Sequence, residues 1–311
     1  TIHHIIFDGV SLMTFMSALL DAYVKASEGK EPVMLQQAAD YHDFVKWEKE
    51  LLESEAGKTH LSYWKKQLEG PLPVLELPSD YPRSSVQTCR GQAYQRLLPD
   101  ELNRQIKVCA QKHNVNESVV YLAIFKGLLY QYTNQEDVIV GMPTMGRSEA
   151  QFESVIGYFI NMIAVRSRET GAKSFTSFLK ELQLTLAEGL DHAAYPFPVL
   201  VKELKTERSP AVSPVFQTAF FYQNFFRTEG AEKLAELYQS LGIEMIEDIH
   251  QEGEFELALE VYKKETGTVL QFLYNPDVYS PSFIERMAEH YMKLAEKVLS
   301  DPEIAFEACS G

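Results

Sequence analysis

The sequence predicts an α+β protein, and three observations carry that expectation. Short apolar stretches suited to strands are interspersed with longer stretches of helical periodicity. The two kinds do not alternate regularly, as a series of βαβ units would, so the α/β-type mixing is irregular. Of the 311 residues, 45% are hydrophobic, which allows either one large domain or two compact lobes.

Ile2, Ile5, Ile6 and Phe7 read as the end of a buried strand, turned by Asp8-Gly9. Ser11 is then expected to open an amphipathic helix with Leu12, Phe15, Met16, Leu19, Leu20 and Tyr23 on its apolar side. Gly29 and Pro32 mark a break. The run 40–47 leads into a charged helix through Leu51 and Leu52, and a second helical stretch, 60–68, stops at Gly70. Pro71, Pro73, Pro78 and Pro82 exclude regular helix or central strand from 70–85, which reads as a crossing segment. Beyond it the pattern predicts a strand over 92–98, a helix over 100–113, and a largely buried helix over 117–132 capped by Asn116. Strands follow at 138–141 and 163–166, a helix at 175–190, strands at 216–222, 255–262 and 269–274, and an amphipathic helix over 281–299.

Composition narrows the function. A formal net charge of -15 leaves no basic stripe to displace counterions from phosphates, so nucleic acid is not an expected partner. No apolar run approaches the roughly 18 residues a membrane span needs. The longest, 119–130, is interrupted by Lys126. Cys89, Cys109 and Cys309 are odd in number and irregularly spaced, which predicts free thiols in a reducing, cytoplasmic compartment. The chain starts at Thr1, within the first expected strand and without Met, so a preceding segment is expected.

The densest chemistry lies at the start, in His3-His4-Ile5-Ile6-Phe7-Asp8-Gly9. A strand, a glycine turn and a helix N-terminus together present a polar side chain to a ligand. The same residues also fit a satisfied core histidine beside an ordinary Asp-Gly turn. Metal ligation is not expected, because the spacing lacks the i, i+4 helical histidine pair and no nearby Cys or Glu pair completes a ligand set.

Further blocks follow in order. They are Tyr41-His42-Asp43-Phe44-Val45-Lys46-Trp47, then Val138-Ile139-Val140-Gly141-Met142-Pro143 with Gly146-Arg147, then Ile156-Gly157-Tyr158-Phe159-Ile160-Asn161 with Arg166. His192 to Pro198 reads HAAYPFP, 208–216 retains Arg208, Pro214 and Phe216 of a further block, and 274–279 ends the series. With HHxxxDG these resemble the signatures of nonribosomal peptide synthetase condensation domains, relatives of chloramphenicol acetyltransferase, from Thr1 to about Pro302. Pro198 departs from the family's usual Glu, which puts its local loop in doubt.

The resemblance implies two chloramphenicol acetyltransferase-like lobes in a V, a pseudo-dimer with the site in a tunnel between them. The N-terminal lobe would be incomplete over 1–85, and 86–311 would form the C-terminal lobe. It implies amide-bond formation between an acyl or peptidyl thioester on an upstream carrier protein and the amine of an aminoacyl thioester on a downstream one. No cofactor would be resident; both substrates would arrive on 4'-phosphopantetheine arms, with an adenylation domain adjacent. His4, carried over from the motif, would act as base or hold the amine in line, a task suited to a side chain titrating near neutral pH. The Gly9 N–H would donate to the oxyanion. His3 would be structural, packed behind the loop. Asp8 would also be structural, paired with an arginine: one in a preceding family block first, Arg147 of this chain second. Asn161 and Ser11 would line the tunnel, Asn161 reading equally as a satisfied turn residue. Tyr41, Asp43 and Trp47 would be packing and hydrogen-bonding scaffold. His42, His60, His113, His250 and His290 are expected at the surface, and His192 on a loop near the cleft.

Three rivals remain. Heterocyclisation domains carry DxxxxD in place of HHxxxDG. Epimerisation domains share HHxxxDG but use a catalytic Glu, for which Glu117 is not a convincing match. A non-catalytic recruitment domain would have lost the motif that His4, Asp8 and Gly9 retain.

Overall fold

The computed structural model describes residues 2–31, 39–205, 212–223, 239, 241–242, 253–264 and 266–309. Pro32, Arg208 and His250, singled out above, lie outside the described residues, as does Thr1. Helices α1 (Gly9–Ser27), α2 (Tyr41–Glu53) and α3 (Glu55–Gln67) precede the proline-rich crossing over 70–85. There follow β1 (Gln92–Leu97), α4 (Asp100–His113), α5 (Glu117–Thr133), β2 (Val138–Thr144), β3 (Asn161–Ser167), α6 (Phe175–Asp191) and α7 (Phe197–Leu204). Strands β4 (Thr218–Gln223), β5 (Leu257–Lys264) and β6 (Gly267–Tyr274) and helix α8 (Pro281–Ser300) complete the order. The class is α+β, as the sequence predicts.

The strands form one mixed sheet in the order β1-β6-β5-β4-β2-β3. Neighbours β1–β6, β5–β6 and β2–β3 are antiparallel, while β4 runs parallel to both β2 and β5. Helix α5 is buried from Val119 to Tyr130, as its all-round apolar composition requires, and it packs between α4, α6 and α8. Asn116 occupies its N-cap position but makes no side-chain capping bond.

Trp64 and Leu68 from α3's end of the chain, with Leu77 of the crossing, are buried in this same core. Arg166 on β3 fastens the crossing to the sheet. Its guanidinium pairs with Asp137 at 2.7 Å and donates to the Glu69 and Pro71 carbonyls at 2.9 and 3.0 Å.

The first segment differs from expectation. Residues 2–7 are not a buried strand: His4–Ile6 is a turn of 3-10 helix, closed by the Ile6 N–H on the His3 carbonyl, and Ile5 and Ile6 are 70% and 63% exposed. An extended segment needs a neighbouring ladder for its backbone groups, and no described strand pairs with it. Helix α1 starts at Gly9 rather than Ser11, because the Asp8 carboxylate caps it by accepting from the Ser11 N–H. The apolar row of α1 does form, but Leu12, Phe15, Leu19 and Tyr23 are exposed and only Leu20 is buried. Helix α7 has no counterpart among the expected elements; Pro198 sits in its first turn, where a missing N–H costs nothing.

One buried group holds the β2–β3 hairpin. Lys126 of α5 is wholly buried, and its Nζ donates to the Val138 carbonyl at 3.1 Å and the Val165 carbonyl at 2.8 Å. A neutral amine has two N–H donors for two carbonyls, whereas an ammonium would bury a third. Burial pushes the Lys126 amine down to about 7, with Asp137 acting weakly the other way. Described side chains form no group of three potential metal ligands, and no described helix is long and apolar enough to cross a membrane. All three cysteines are free, with Cys89 exposed and Cys109 and Cys309 buried.

Two outcomes follow. Lys126 binds fewer protons folded than unfolded, so stability rises with pH from the folded value near 7 toward the unfolded value near 10.4. Relative to Lys126→Met, the wild-type chain should gain on the order of 1 kcal/mol per pH unit between about pH 7 and 9 in urea melts; parallel pH profiles would contradict this. The exposed row of α1 should make the 311-residue chain self-associate. Phe15→Ser with Leu19→Glu should shift it toward monomer in sedimentation velocity with an unchanged thermal midpoint. A monodisperse wild-type monomer would refute it.

Candidate active site

The HHxxxDG loop is joined to the 145–160 connection of the β2–β3 hairpin by a hydrogen-bonded clasp. The Asp8 carboxylate is at its centre. Oδ1 accepts from the Ser11 N–H at 2.8 Å and from Arg147 Nη2 at 3.0 Å, and Oδ2 from Arg147 Nη1 at 2.8 Å and the Phe159 N–H at 3.0 Å. Both side chains are buried, Asp8 to 0% exposure and Arg147 to 4%. Arg147 Nη2 also reaches Ser11 Oγ at 3.0 Å and the Val155 carbonyl at 3.1 Å, and the guanidinium lies 4.1 Å above the Phe159 ring. Burial alone would raise the Asp8 carboxyl. The Arg147 hydrogen bonds and charge and the Ser11 and Phe159 N–H groups outweigh it and hold the carboxyl below the usual range.

Ser11 contributes through its hydroxyl, which donates to the Gly157 carbonyl at 2.8 Å and accepts from the Gly157 N–H at 2.9 Å. Two glycines make room for this arrangement. Gly146 has φ +64°, and a Cβ there would lie 1.6 Å from the Phe159 carbonyl oxygen. A Cβ on Gly157 would lie 2.2 Å from the Tyr41 ring. Tyr41 donates to the Tyr158 carbonyl at 2.7 Å, Asp43 completes a capping box with Asp40 at the start of α2, and Trp47 stacks on Phe44. Phe44, Phe152, Val155 and Phe159 form a small core beneath the clasp, separate from the main one.

The two histidines sit at the exposed edge of this assembly with opposite tautomers. His4 Nδ1 lies 2.7 Å from the Phe7 carbonyl, which only accepts, so the proton is on Nδ1 and Nε2 of the neutral ring carries the lone pair. His3 Nδ1 accepts from the Ile5 N–H at 3.1 Å, so its neutral-ring proton is on Nε2. Gly9 begins α1 with open space around it, and its N–H takes part in none of the site's hydrogen bonds. The loop thus carries an exposed imidazole and a helix N-terminal N–H outside the clasp, together with a carboxylate that already has four oxygen contacts.

Several expectations are corrected. His3 is not packed behind the loop; it is exposed and caps the 3-10 turn. Ser11 cannot line a tunnel, because it is fully buried within the clasp. Asn161 is satisfied by hydrogen bonds, at the start of β3 rather than in a turn: Nδ2 donates to the Ala193 and Tyr195 carbonyls at 2.8 and 2.7 Å, and Oδ1 accepts from the Phe197 N–H at 2.8 Å. The arginine on Asp8 is Arg147, the second choice from sequence. His60 and His192, read as surface and cleft residues, face each other through Nδ1 atoms 2.8 Å apart, with Tyr63 stacked on His192. Glu117 is ion-paired with Lys263. Tyr158, a variable position within a motif, carries no signal of its own in the sequence, yet its ring meets that of His4 edge-on at 5.4 Å.

A family model described as "Condensation domain" matches residues 1–308. Polyketide synthase PksN of Bacillus subtilis (strain 168) is 60% identical over 310 residues, covering 100% of this chain and 6% of that protein. Tyrocidine synthase 3 of Brevibacillus parabrevis is 33% identical over 303 residues, covering 97% and 4%. The chain therefore spans a small fraction of the length of these relatives. Among solved structures, the X-domain from teicoplanin biosynthesis aligns with a TM-score of 0.85 at 19% identity, over 98% of this chain and 69% of that one. The condensation domain of the Monacolin K polyketide synthase MokA aligns at 0.79 and 20%, over 98% and 69%.

Breaking the clasp should be costly. Asp8→Asn leaves the Arg147 charge buried without its partner, a loss of about 3–5 kcal/mol by urea denaturation at neutral pH. Because the folded carboxyl is held low, its contribution is complete above the unfolded value near 3.9 and is lost as pH falls through the folded one. The wild-type advantage over Asp8→Asn should shrink in acid. An advantage independent of pH would show that the charge is not the source.

Proposed function

The chain belongs to the condensation-domain family, and on that footing we propose that it joins an acyl or peptidyl thioester to the amine of an aminoacyl thioester, each held on a carrier protein's 4'-phosphopantetheine arm. The observation that carries this reading is the exposed His4 imidazole, oriented by its Nδ1–H bond to the Phe7 carbonyl so that Nε2 is the basic nitrogen. An amine attacks a thioester readily once neutral and aligned, so the demands on the protein are orientation, a proton acceptor and a donor for the oxyanion.

In this reading His4 Nε2 accepts the proton as the amine nitrogen bonds to the thioester carbon. The Gly9 N–H, at the positive end of α1, donates to the tetrahedral oxyanion. Collapse breaks the carbon–sulfur bond, and the departing thiolate takes the proton back from His4, leaving amide and free phosphopantetheine thiol. Asp8 and Arg147 take no proton; they fix the loop that carries His4 and Gly9. Upstream and downstream carrier proteins and a neighbouring adenylation domain are the partners this chemistry calls for. The free thiols are compatible with reaction in a reducing cytoplasm.

The test is a single-turnover reaction between loaded donor and acceptor carriers, followed by intact-mass detection of the transferred acyl group. His4→Ala should keep the wild-type thermal midpoint and lose about a hundredfold in rate. Full activity in His4→Ala would remove the base role. If the wild-type chain instead exchanges deuterium into the α-carbon of a carrier-bound aminoacyl group and forms no amide, epimerisation replaces condensation as the reading.

A further inference from the structure

His4 is exposed, and an exposed imidazole ordinarily samples several rotamers and both tautomers. What restrains it is one hydrogen bond to Phe7 and one ring, that of Tyr158, whose centroid lies 5.4 Å away at an interplanar angle of 78°. This is the edge-to-face arrangement that aromatic rings favour.

The backbone around Tyr158 is anchored on both sides. The backbone before it is tied at Gly157, whose N–H and carbonyl both bond to Ser11 Oγ. The backbone after it is tied at the Phe159 N–H, which donates to Asp8. Its own carbonyl accepts from Tyr41. Three consecutive residues are therefore pinned, two of them to the loop and helix that carry His4. The ring between them is half-buried and sits at a fixed place relative to the imidazole.

We propose that Tyr158 is a positioning residue for His4, its ring holding the imidazole in the rotamer that keeps Nδ1–H on the Phe7 carbonyl and leaves Nε2 unprotonated. Without the ring, His4 turns into solvent, Nδ1 exchanges the carbonyl for water, and the proton distributes over both nitrogens. The hydroxyl plays no part; the ring does. The orientation stands on geometry alone, and only its kinetic consequence rests on the condensation reading.

The test uses the whole chain labelled with 15N-histidine, His4 being assigned by the signal lost in His4→Gln, with thermal midpoints recorded for every variant. Wild type and Tyr158→Phe should show His4 as one Nδ1–H tautomer, and Tyr158→Leu a mixture of both. With loaded carriers, Tyr158→Leu should lower kcat by about fivefold, the order of a lost edge-to-face contact, and leave the acceptor KM within about twofold. Tyr158→Phe should restore the wild-type rate. A single Nδ1–H tautomer in a folded Tyr158→Leu chain overturns the proposal, and so does loss of rate in Tyr158→Phe. A Tyr158→Leu chain that fails to fold while Tyr158→Phe is intact overturns it too, making the ring a packing element. A tautomer that depends on the ring in a wild-type chain forming no amide supports the positioning and overturns the condensation reading instead.

Discussion

Arg147 and Asp8 meet where neither side chain touches water, and the position of the whole HHxxxDG loop follows from that contact. An ion pair out of water is tolerable only when the remaining lone pairs and protons are also bonded. The surroundings come close to that condition: two backbone N–H groups complete the carboxylate, a hydroxyl and a carbonyl take further guanidinium protons, and among the pair's polar atoms Arg147 Nε alone is buried without a partner. These partners come from two stretches of chain, Ser11 at the start of α1 and Val155 and Phe159 in the hairpin connection, so satisfying one buried ion pair forces the loop, the start of α1 and the connection into a single arrangement. Gly146 and Gly157 are the steric conditions for it, since side chains at either position would occupy space already filled by backbone or by Tyr41.

The same arrangement separates the roles of chemically similar groups. His3 and His4 are adjacent, yet one receives a backbone N–H and the other donates to a backbone carbonyl, so they present opposite nitrogens. The carboxylate nearest them has no lone pair facing open space. A basic nitrogen and a helix N-terminal N–H are what the loop leaves available, which is the minimum that acyl transfer to an amine requires. Lys126 extends the logic into the core, where two strand carbonyls accept its N–H groups, burial works against its charge, and the hairpin from which Arg147 is presented is tied to α5.

Much of this is legible in the sequence. The class, and the positions of α4, α5, α6, α8 and β1 to within a residue or two, follow from periodicity and turn residues. The cost of burying a carboxylate calls for a partner for Asp8, and the family resemblance offers an arginine for it, with Arg147 as the second of two candidates. Local reasoning fails where a neighbour decides the outcome. The isoleucines at the start fit a strand, but a strand needs a partner, and none is present among the described residues. Ser11 reads as a cap and tunnel residue because its sequence neighbours are a turn and a helix; its real partner, Gly157, is 146 positions away. Asn161 is ambiguous for the same reason, since three backbone groups around α7 complete it and α7 itself is obscured by two prolines. Tyr158 has no sequence signal, because what makes it notable is a fixed place beside another ring.

Trp64, Leu68 and Leu77 belong to the stretch assigned by resemblance to the N-terminal lobe, yet they are buried in the core of the sheet that follows. Arg166 also holds the start of the proline-rich crossing against β3. For anyone exchanging parts between related domains, the exposed, proline-rich stretch is a deceptive place to cut. A chimera joined near residue 85 would pair a foreign α3 and crossing with a native sheet, asking three unmatched side chains to fill cavities shaped for others. A junction before Ser54, which caps α3, keeps those cavities with the residues that fill them and moves the mismatch to the small core around Phe44 and the clasp above it, where the partners are few and named.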